Sequence, residues 1–308
     1  TLNSKFIHSS LALRYLKAYG EAHGQAYDIV EYTINMPVLH ILSDITEHDI
    51  DILGFACYIW NIEMTLHVVD MVKAVRPDIK IVLGGPEVSF TADELLERCP
   101  NIDYIVQGEG EEAFHALVTA LHLGNDGLDP VIPGVRGRRD GNILGSAEAV
   151  EVRDLSTIPF PYTEDDMEDL EHKIIYYESS RGCPFSCQYC LSGNKNTVRF
   201  FPQERTLKEL QWFIDHGVKQ VKFVDRTFNC APHHHRPLME FMRDSDTDMN
   251  FHLEMEPELM TEWETNILCE TPPGRIQIEV GVQSTHKKTL DAINRYNDWP
   301  YIQKSIRP

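Results

Sequence analysis

Three cysteines, Cys183, Cys187 and Cys190, stand at C-x3-C-x2-C spacing in the run Ser-Ser-Arg-Gly-Cys-Pro-Phe-Ser-Cys-Gln-Tyr-Cys, residues 179–190. Thiolates held this close repel one another unless a metal centre absorbs the charge, and soft thiolates suit an iron–sulfur cluster or zinc. A closed zinc site needs a fourth ligand, which 184–189 do not offer, whereas a cluster on three cysteines leaves one iron open. The apolar run 173–178 (KIIYYE) reads as a strand feeding the loop, so the thiols belong at a strand's C-terminal edge. Residue types alone leave two other readings: a zinc staple completed by Cys230 or His172, and cysteines that only pack.

With Gly182-Cys183-Pro184 before it and Tyr189 just ahead of the last cysteine, the run resembles the radical S-adenosylmethionine (SAM) superfamily. The resemblance implies a [4Fe-4S] cluster on Cys183, Cys187 and Cys190, with SAM chelating the open iron. It further implies an external one-electron reductant such as flavodoxin or ferredoxin.

The 308 residues suffice for two domains, and no apolar run reaches the roughly 18 to 20 residues that span a bilayer. Residues 1–8 lack a basic head with an apolar block behind it, so they do not read as a signal peptide. Seven cysteines, three of them in one motif, point to a reducing, cytoplasmic setting. A formal charge of −20 repels phosphate backbones and argues against nucleic acid as a partner.

Upstream of the loop, helical and strand patterns alternate. Helices are expected at 9–20, 38–45, 62–75, 92–98 and 111–123, and strands at 27–34, 51–57, 79–83 and 104–107. That order predicts an α/β fold with a doubly wound, Rossmann-like parallel sheet. Ligands of such sheets bind beyond the strand C-termini, which selects the loops 3–8, 58–61, 84–89 and 108–112. Gly84, Gly85, Ser89, Gly108, Glu109 and Gly110 stand there; for each glycine alone a turn suffices as explanation. Together, ahead of the cysteine motif, they resemble the cobalamin-binding domain of cobalamin-dependent radical SAM proteins. Asn3, Lys5, Phe6, Ile7 and His8 match the opening segment of one subgroup. No Asp-x-His-x-x-Gly run occurs, so the resemblance implies cobalamin without a histidine ligand to cobalt, or a domain that has lost it.

Residues 124–149 break into Gly, Pro, Asp and Arg, with a hairpin turn at Asp140-Gly141. The expected domains are 1–150 for cobalamin, a Pro-punctuated linker at 151–170, and 171–308 as a partial β/α barrel. In the barrel, strands are expected at 173–178, 220–224, 250–255 and 275–280, and helices at 207–216, 237–243, 259–269 and 287–293. The resemblance places Asp225, with Thr227 and Phe228, near the SAM amino group and gives ribose contacts to Glu254 or Glu256. Glu279, Gly281, Gln283 and Ser284 match a run shared by related barrels. His233-His234-His235 reads as a solvated helix start, because adjacent side chains diverge. Cys57, Cys99 and Cys269 read as small buried side chains, and Cys230 as packing.

The function implied is a cobalamin-dependent radical SAM enzyme acting on a small-molecule substrate. A 5′-deoxyadenosyl radical removes hydrogen from an unactivated carbon, and methylcobalamin donates the methyl group. Alternatives are a cyclisation or rearrangement without methyl transfer, and a non-catalytic cobalamin or redox sensor or zinc-stapled binding module. A methylthiotransferase is disfavoured, since the first domain holds only Cys57 and Cys99 where that class needs three cysteines. The chain is also expected to be truncated: no strand precedes 3–8, and four barrel strands follow residue 170 where the family has six.

Overall fold

A computed structural model of the chain describes residues 1–191 and 196–306, which form two units, Thr1–Thr163 and Glu164–Pro308. The first unit runs β1 (Leu2–Asn3), α1 (Leu11–Ala22), β2 (Tyr32–Thr33), α2 (Val38–Glu47), β3 (Ile52–Ala56) and α3 (Ile62–Val75). It continues through β4 (Lys80–Gly84), α4 (Ala92–Arg98), β5 (Tyr104–Val106), α5 (Gly110–His122), β6 (Val135–Arg139) and β7 (Asn142–Gly145).

The helices form where apolar residues recur at helical spacing; α3, for example, buries Thr65, Val68, Val69 and Val72. Both faces of the sheet are covered. Ile81 and Leu83 of β4 join the core of α2 and α3, while Val82 between them joins Ala113 and Leu117 of α5. This is the doubly wound arrangement. The sheet order is β3-β4-β5-β6-β7, parallel to β5 and antiparallel beyond, so the expected all-parallel sheet acquires an antiparallel edge. Asp140 and Gly141, at φ 49° and 80°, supply the left-handed pair that turns β6 into β7.

A strand does precede the 3–8 loop. Leu2–Asn3 pairs in parallel with Tyr32–Thr33, and the short partner explains why only two residues of the expected strand at 27–34 form a ladder. The buried Asn61 amide donates to the carbonyls of both Leu2 and Ala56, holding β1 beside the end of β3. The linker expectation is also revised. Residues 151–163 group with the first unit, and Val152, Leu155, Ile158 and Tyr162 among them are buried.

The second unit comprises α6 (Asp166–Leu170), β8 (Ile175–Tyr177), β9 (Ser180–Gly182), β10 (Val198–Phe200), α7 (Gln203–Asp215), β11 (Gln220–Phe223) and α8 (Pro232–Asp244). Then come β12 (Asn250–Met255), α9 (Glu262–Glu270), β13 (Ile276–Val280), α10 (Lys287–Ala292) and α11 (Trp299–Ser305). β8, β11, β12 and β13 form a parallel sheet in chain order, the β/α pattern of a partial barrel. Alternate residues (Ile175, Tyr177, Val221, Phe223, Phe251, Leu253) are buried, and Tyr177 meets Phe213 of α7 edge-on, so this face lies under the helices. The opposite face carries Tyr176, Lys222, His252, Glu254, Gln277 and Glu279. Barrel interiors are normally filled by branched apolar side chains, so this one is built for polar contents.

Two expectations fail here. Cys269 is exposed, not buried. His234 and His235 are buried rather than solvated, while His233 is exposed, because α8 begins at Pro232 and turns them inward. The expected divergence of the three rings holds.

His235 reaches Glu264 at 3.0 Å, and Thr261 closes a capping box with the same carboxylate at the start of α9. Burial would raise the Glu264 carboxyl, but the donors from Thr261, His235 and Arg236 outweigh it and pull it down to about 2. Its folded value is depressed, so this contribution to stability is present above the usual carboxylate range and is lost as pH falls through about 2. Glu264→Gln should destabilise the protein by about 3 kcal/mol in urea unfolding at pH 7. An unchanged midpoint would mean that the three donors find other acceptors.

Candidate functional site

In the second unit the cysteine loop grows out of a hairpin. β9 pairs antiparallel with β10, setting Gly182 opposite Val198. Gly182 adopts φ +103°, and a Cβ there would lie 2.1 Å from the Thr197 carbonyl oxygen, so only glycine fits just ahead of Cys183. Cys183 is buried with its Sγ 3.4 Å from Thr227 Oγ1, while Cys187 and Cys190 are partly exposed. All three thiols are free of disulfides. Tyr189 is half exposed, with Cys187 and Arg295 as side-chain partners.

The segment after α10 holds the loop from the other side. Gln188 N–H donates to Ile293 O, and Asn294 Nδ2 donates to Ser186 O and Oγ. Arg295 is the junction. One guanidinium nitrogen lies 3.8 Å from Cys187 Sγ, while the other donates to Glu256 Oε2 at 2.8 Å and to Gly281 O at 2.6 Å. Glu256 stands at the end of β12, and the Asn229 side chain holds both its N–H and its carbonyl. Its second oxygen, Oε1, is buried without a partner, and burial pushes the carboxyl above its usual range against the pull of Arg295. Sequence reasoning missed Arg295, since nothing local distinguishes it from any surface arginine.

The remaining expected contacts are divided. Asp225 is buried with both oxygens occupied: Oδ2 accepts from Ser179 N–H, and Oδ1 from Ser179 Oγ and Ser180 Oγ. In this arrangement it braces the root of the cysteine loop. Glu279 pairs with Lys222 at 3.1 Å and His252 at 3.0 Å on the polar sheet face, opposite Glu254 in register. Lys222 and His252 together hold its carboxyl below the usual range, Lys222 the more strongly. Gln283 is exposed at φ +61°, and the Ser284 carbonyl accepts from Asn297.

This donor set suits the cluster. Three soft, disulfide-free thiols share one loop, a guanidinium lies beside one of them, and a buried carboxylate oxygen has no donor at the same strand ends. Among the described residues no three His, Cys, Asp or Glu side chains are grouped closely enough to hold a single metal ion.

In the first unit the expected loops converge beyond the sheet. Ser89 Oγ donates to Gly85 O at 2.8 Å and accepts Gly108 N–H at 3.1 Å, joining the loops after β4 and β5. Gly84 ends β4, Glu109 stands just before α5 with its carboxylate accepting Val152 N–H and not a helix amide, and Gly110 opens the helix. A Cβ on Gly85 would lie 2.6 Å from Cys57 O, and one on Gly108 2.2 Å from Val150 O, both at positive φ. Chain packing therefore accounts for these two glycines. The more telling feature is apolar exposure at the same strand ends. Phe6 and Ile7 follow β1, Ile59 and Trp60 follow β3, and Phe90 follows β4, all exposed at least in part, with Trp60 stacked on Tyr58. Such a patch beside tight backbone loops fits a large, flat ligand such as a corrin.

Gly85→Ala should destabilise by more than the ~1–3 kcal/mol of a strained backbone, because carbonyl and Cβ also collide. Gly24→Ala, at φ +81° with open space around it, should show only the conformational part. Equal shifts in thermal unfolding for the two variants would remove the collision from the account.

A doubly wound unit with exposed apolar side chains at its strand ends, joined in one chain to a β/α unit with a three-thiol loop, defines a corrin-binding protein with a cluster-binding barrel. Residues 1–118 match the family described as B12 binding domain, and residues 177–307 match the radical SAM superfamily. The chain belongs to the radical SAM proteins that carry a B12-binding domain. These two families imply cobalamin, SAM and a [4Fe-4S] cluster as cofactors.

The cobalamin-dependent radical SAM methyltransferase TokK of Streptomyces tokunonensis is 32% identical over 231 residues, 70% of this chain and 34% of TokK. The solved structure of the cobalamin-dependent S-adenosylmethionine radical enzyme OxsB, with aqua-cobalamin and S-adenosylmethionine bound, aligns with a TM-score of 0.80 at 18% identity. It covers 97% of this chain and 45% of OxsB. The radical S-adenosylmethionine methyltransferase TsrM from Kitasatospora setae, with cobalamin and [4Fe-4S] cluster bound, aligns at TM-score 0.79 and 16% identity, covering 99% and 63%. At those identities the structural likeness speaks for the fold. The chain spans about a third of TokK and less than two thirds of either structure. Among the described residues no helix is long and apolar enough to cross a membrane.

Proposed function

We propose that the protein is a cobalamin-dependent radical SAM methyltransferase that acts on an unactivated carbon of a small molecule. When bound, the cluster and SAM supply one-electron cleavage of a sulfonium, and the corrin supplies a transferable methyl group. The chain's part is to hold and orient them. Cys183, Cys187 and Cys190 bind the cluster, and Arg295 sets a positive charge against that loop. Glu256 Oε1 accepts a hydrogen bond from the bound cosubstrate, while Glu254, Glu279, Gln283 and Ser284 line the same strand ends. Gly84, Gly85, Ser89, Gly108, Glu109 and Gly110 shape the corrin crevice. An external reductant of the flavodoxin or ferredoxin type and a cytoplasmic location belong to this reading.

The observation that carries it is the loop of three disulfide-free thiols, with Cys187 beside Arg295 and the half-satisfied Glu256. Anaerobic purification should yield iron and sulfide near about four each per chain, together with corrin. The reduced protein should then cleave SAM and raise the substrate mass by one CH2. Cleavage with no mass gain would favour cyclisation or rearrangement, and zinc without sulfide would end the reading.

A further inference from the structure

His234, the middle residue of the histidine tract, is drawn into the base of the cysteine loop. Its Nε2 lies 3.0 Å from Ser179 Oγ, which lies 2.7 Å from Asp225 Oδ1. All three residues are buried. An ionised carboxylate can only accept, so Ser179 gives its hydroxyl proton to Asp225 and its lone pair takes the His234 Nε2–H. The direction of the relay is therefore set: His234 to Ser179 to Asp225. Asp225 takes two further donors, Ser179 N–H at 2.9 Å and Ser180 Oγ at 2.5 Å. His234 also packs on Phe200 of β10, with ring centroids 4.5 Å apart, and Phe200 pairs with Ser180 in the hairpin register. Both of its contacts thus fall on the hairpin that ends at Cys183.

We propose that His234, Ser179 and Asp225 form a positioning relay that fixes the root of the cysteine loop and thereby the placement of Cys183 at the cluster. The three side chains come from three elements: the turn between β8 and β9, the end of β11, and the first turn of α8. Chained donors of this kind strengthen one another in a dry interior, and partly satisfied ones are expensive. Removing the His234 ring leaves the buried Ser179 oxygen without the donor it has in this structure. The relay does not touch the reacting groups. It acts through the loop, and the inference rests on the cluster assignment above.

The test uses the full protein, reconstituted anaerobically, with His234→Leu, His234→Gln and Ser179→Ala. Iron and sulfide content, the electron paramagnetic resonance signal of the reduced cluster and thermal unfolding of the cluster-free protein are measured for each. Ile267→Ala, on the buried face of α9, serves as a variant destabilised elsewhere in the unit. His234→Leu and Ser179→Ala should retain the cluster about tenfold less well, in the lower range for outer partners of metal ligands, and shift the signal of what remains. His234→Gln, which restores an N–H donor, should recover most of both. Ile267→Ala should lower the unfolding temperature yet leave the signal unchanged. Wild-type cluster content and signal in His234→Leu would overturn the inference while sparing the proposed function, and so would a loss matched by Ile267→Ala. Should the unaltered protein bind no cluster, both would fall.

Discussion

Replacing any one of Cys183, Cys187 or Cys190 by alanine is expected to remove the cluster and lower SAM cleavage by at least about 10³-fold. Groups that act as one unit fail together, so the triple variant should be no worse than the singles. The three positions differ in surroundings: Cys183 is buried against Thr227, while Cys187 and Cys190 are partly exposed. A packing role would therefore predict a large loss of stability for Cys183 alone. A ligand role predicts equal loss of iron from all three, and that contrast makes the experiment decisive. Cys269→Ala, at an exposed position on α9, should keep full iron content and activity. One of the three variants with normal iron and sulfide would remove that cysteine from the cluster.

What could be read in advance follows from distance along the chain. The cysteine loop lies within one short run, and helices such as α3 announce themselves through apolar spacing. The Asp140-Gly141 turn was legible for the same local reason. The β9–β10 pair was not, because its strands are three residues each and put Arg181 opposite Arg199, with no apolar alternation to mark them. α11, opening with Trp299-Pro300 after a polar stretch, gave no periodic signal either. His234 looked like part of a solvated tract because its partner, Ser179, stands 55 residues away. Arg295 is 39 residues from Glu256 and 108 from Cys187. Such a junction exists only once the strands are side by side, and no single window of sequence contains it.

That junction carries the second large effect. Arg295 and Glu256 form an ion pair with side-chain exposures of 11% and 10%, so deleting the guanidinium strands a buried carboxylate. Arg295→Ala should destabilise the protein by about 3 kcal/mol near neutral pH and release the clasp on Cys187. Arg295→Lys should recover little, because one ammonium cannot reach Cys187, Glu256 and the Gly281 carbonyl as the planar fork does. The double variant Arg295→Met with Glu256→Gln should be more stable than Arg295→Ala, since no charge is left unpaired. The sign of the pH dependence is set by Glu256, whose carboxyl already lies above its usual range through burial. A raised folded value means that stability is greatest below the unfolded carboxylate range and is lost as pH rises through the folded one. Without Arg295 that value moves higher still, so the deficit of Arg295→Ala should be large at pH about 8 and shrink towards pH about 5. Urea midpoints across that range measure it directly. A deficit independent of pH would mean that Arg295 contributes by packing alone and that Glu256 finds water when the arginine is gone.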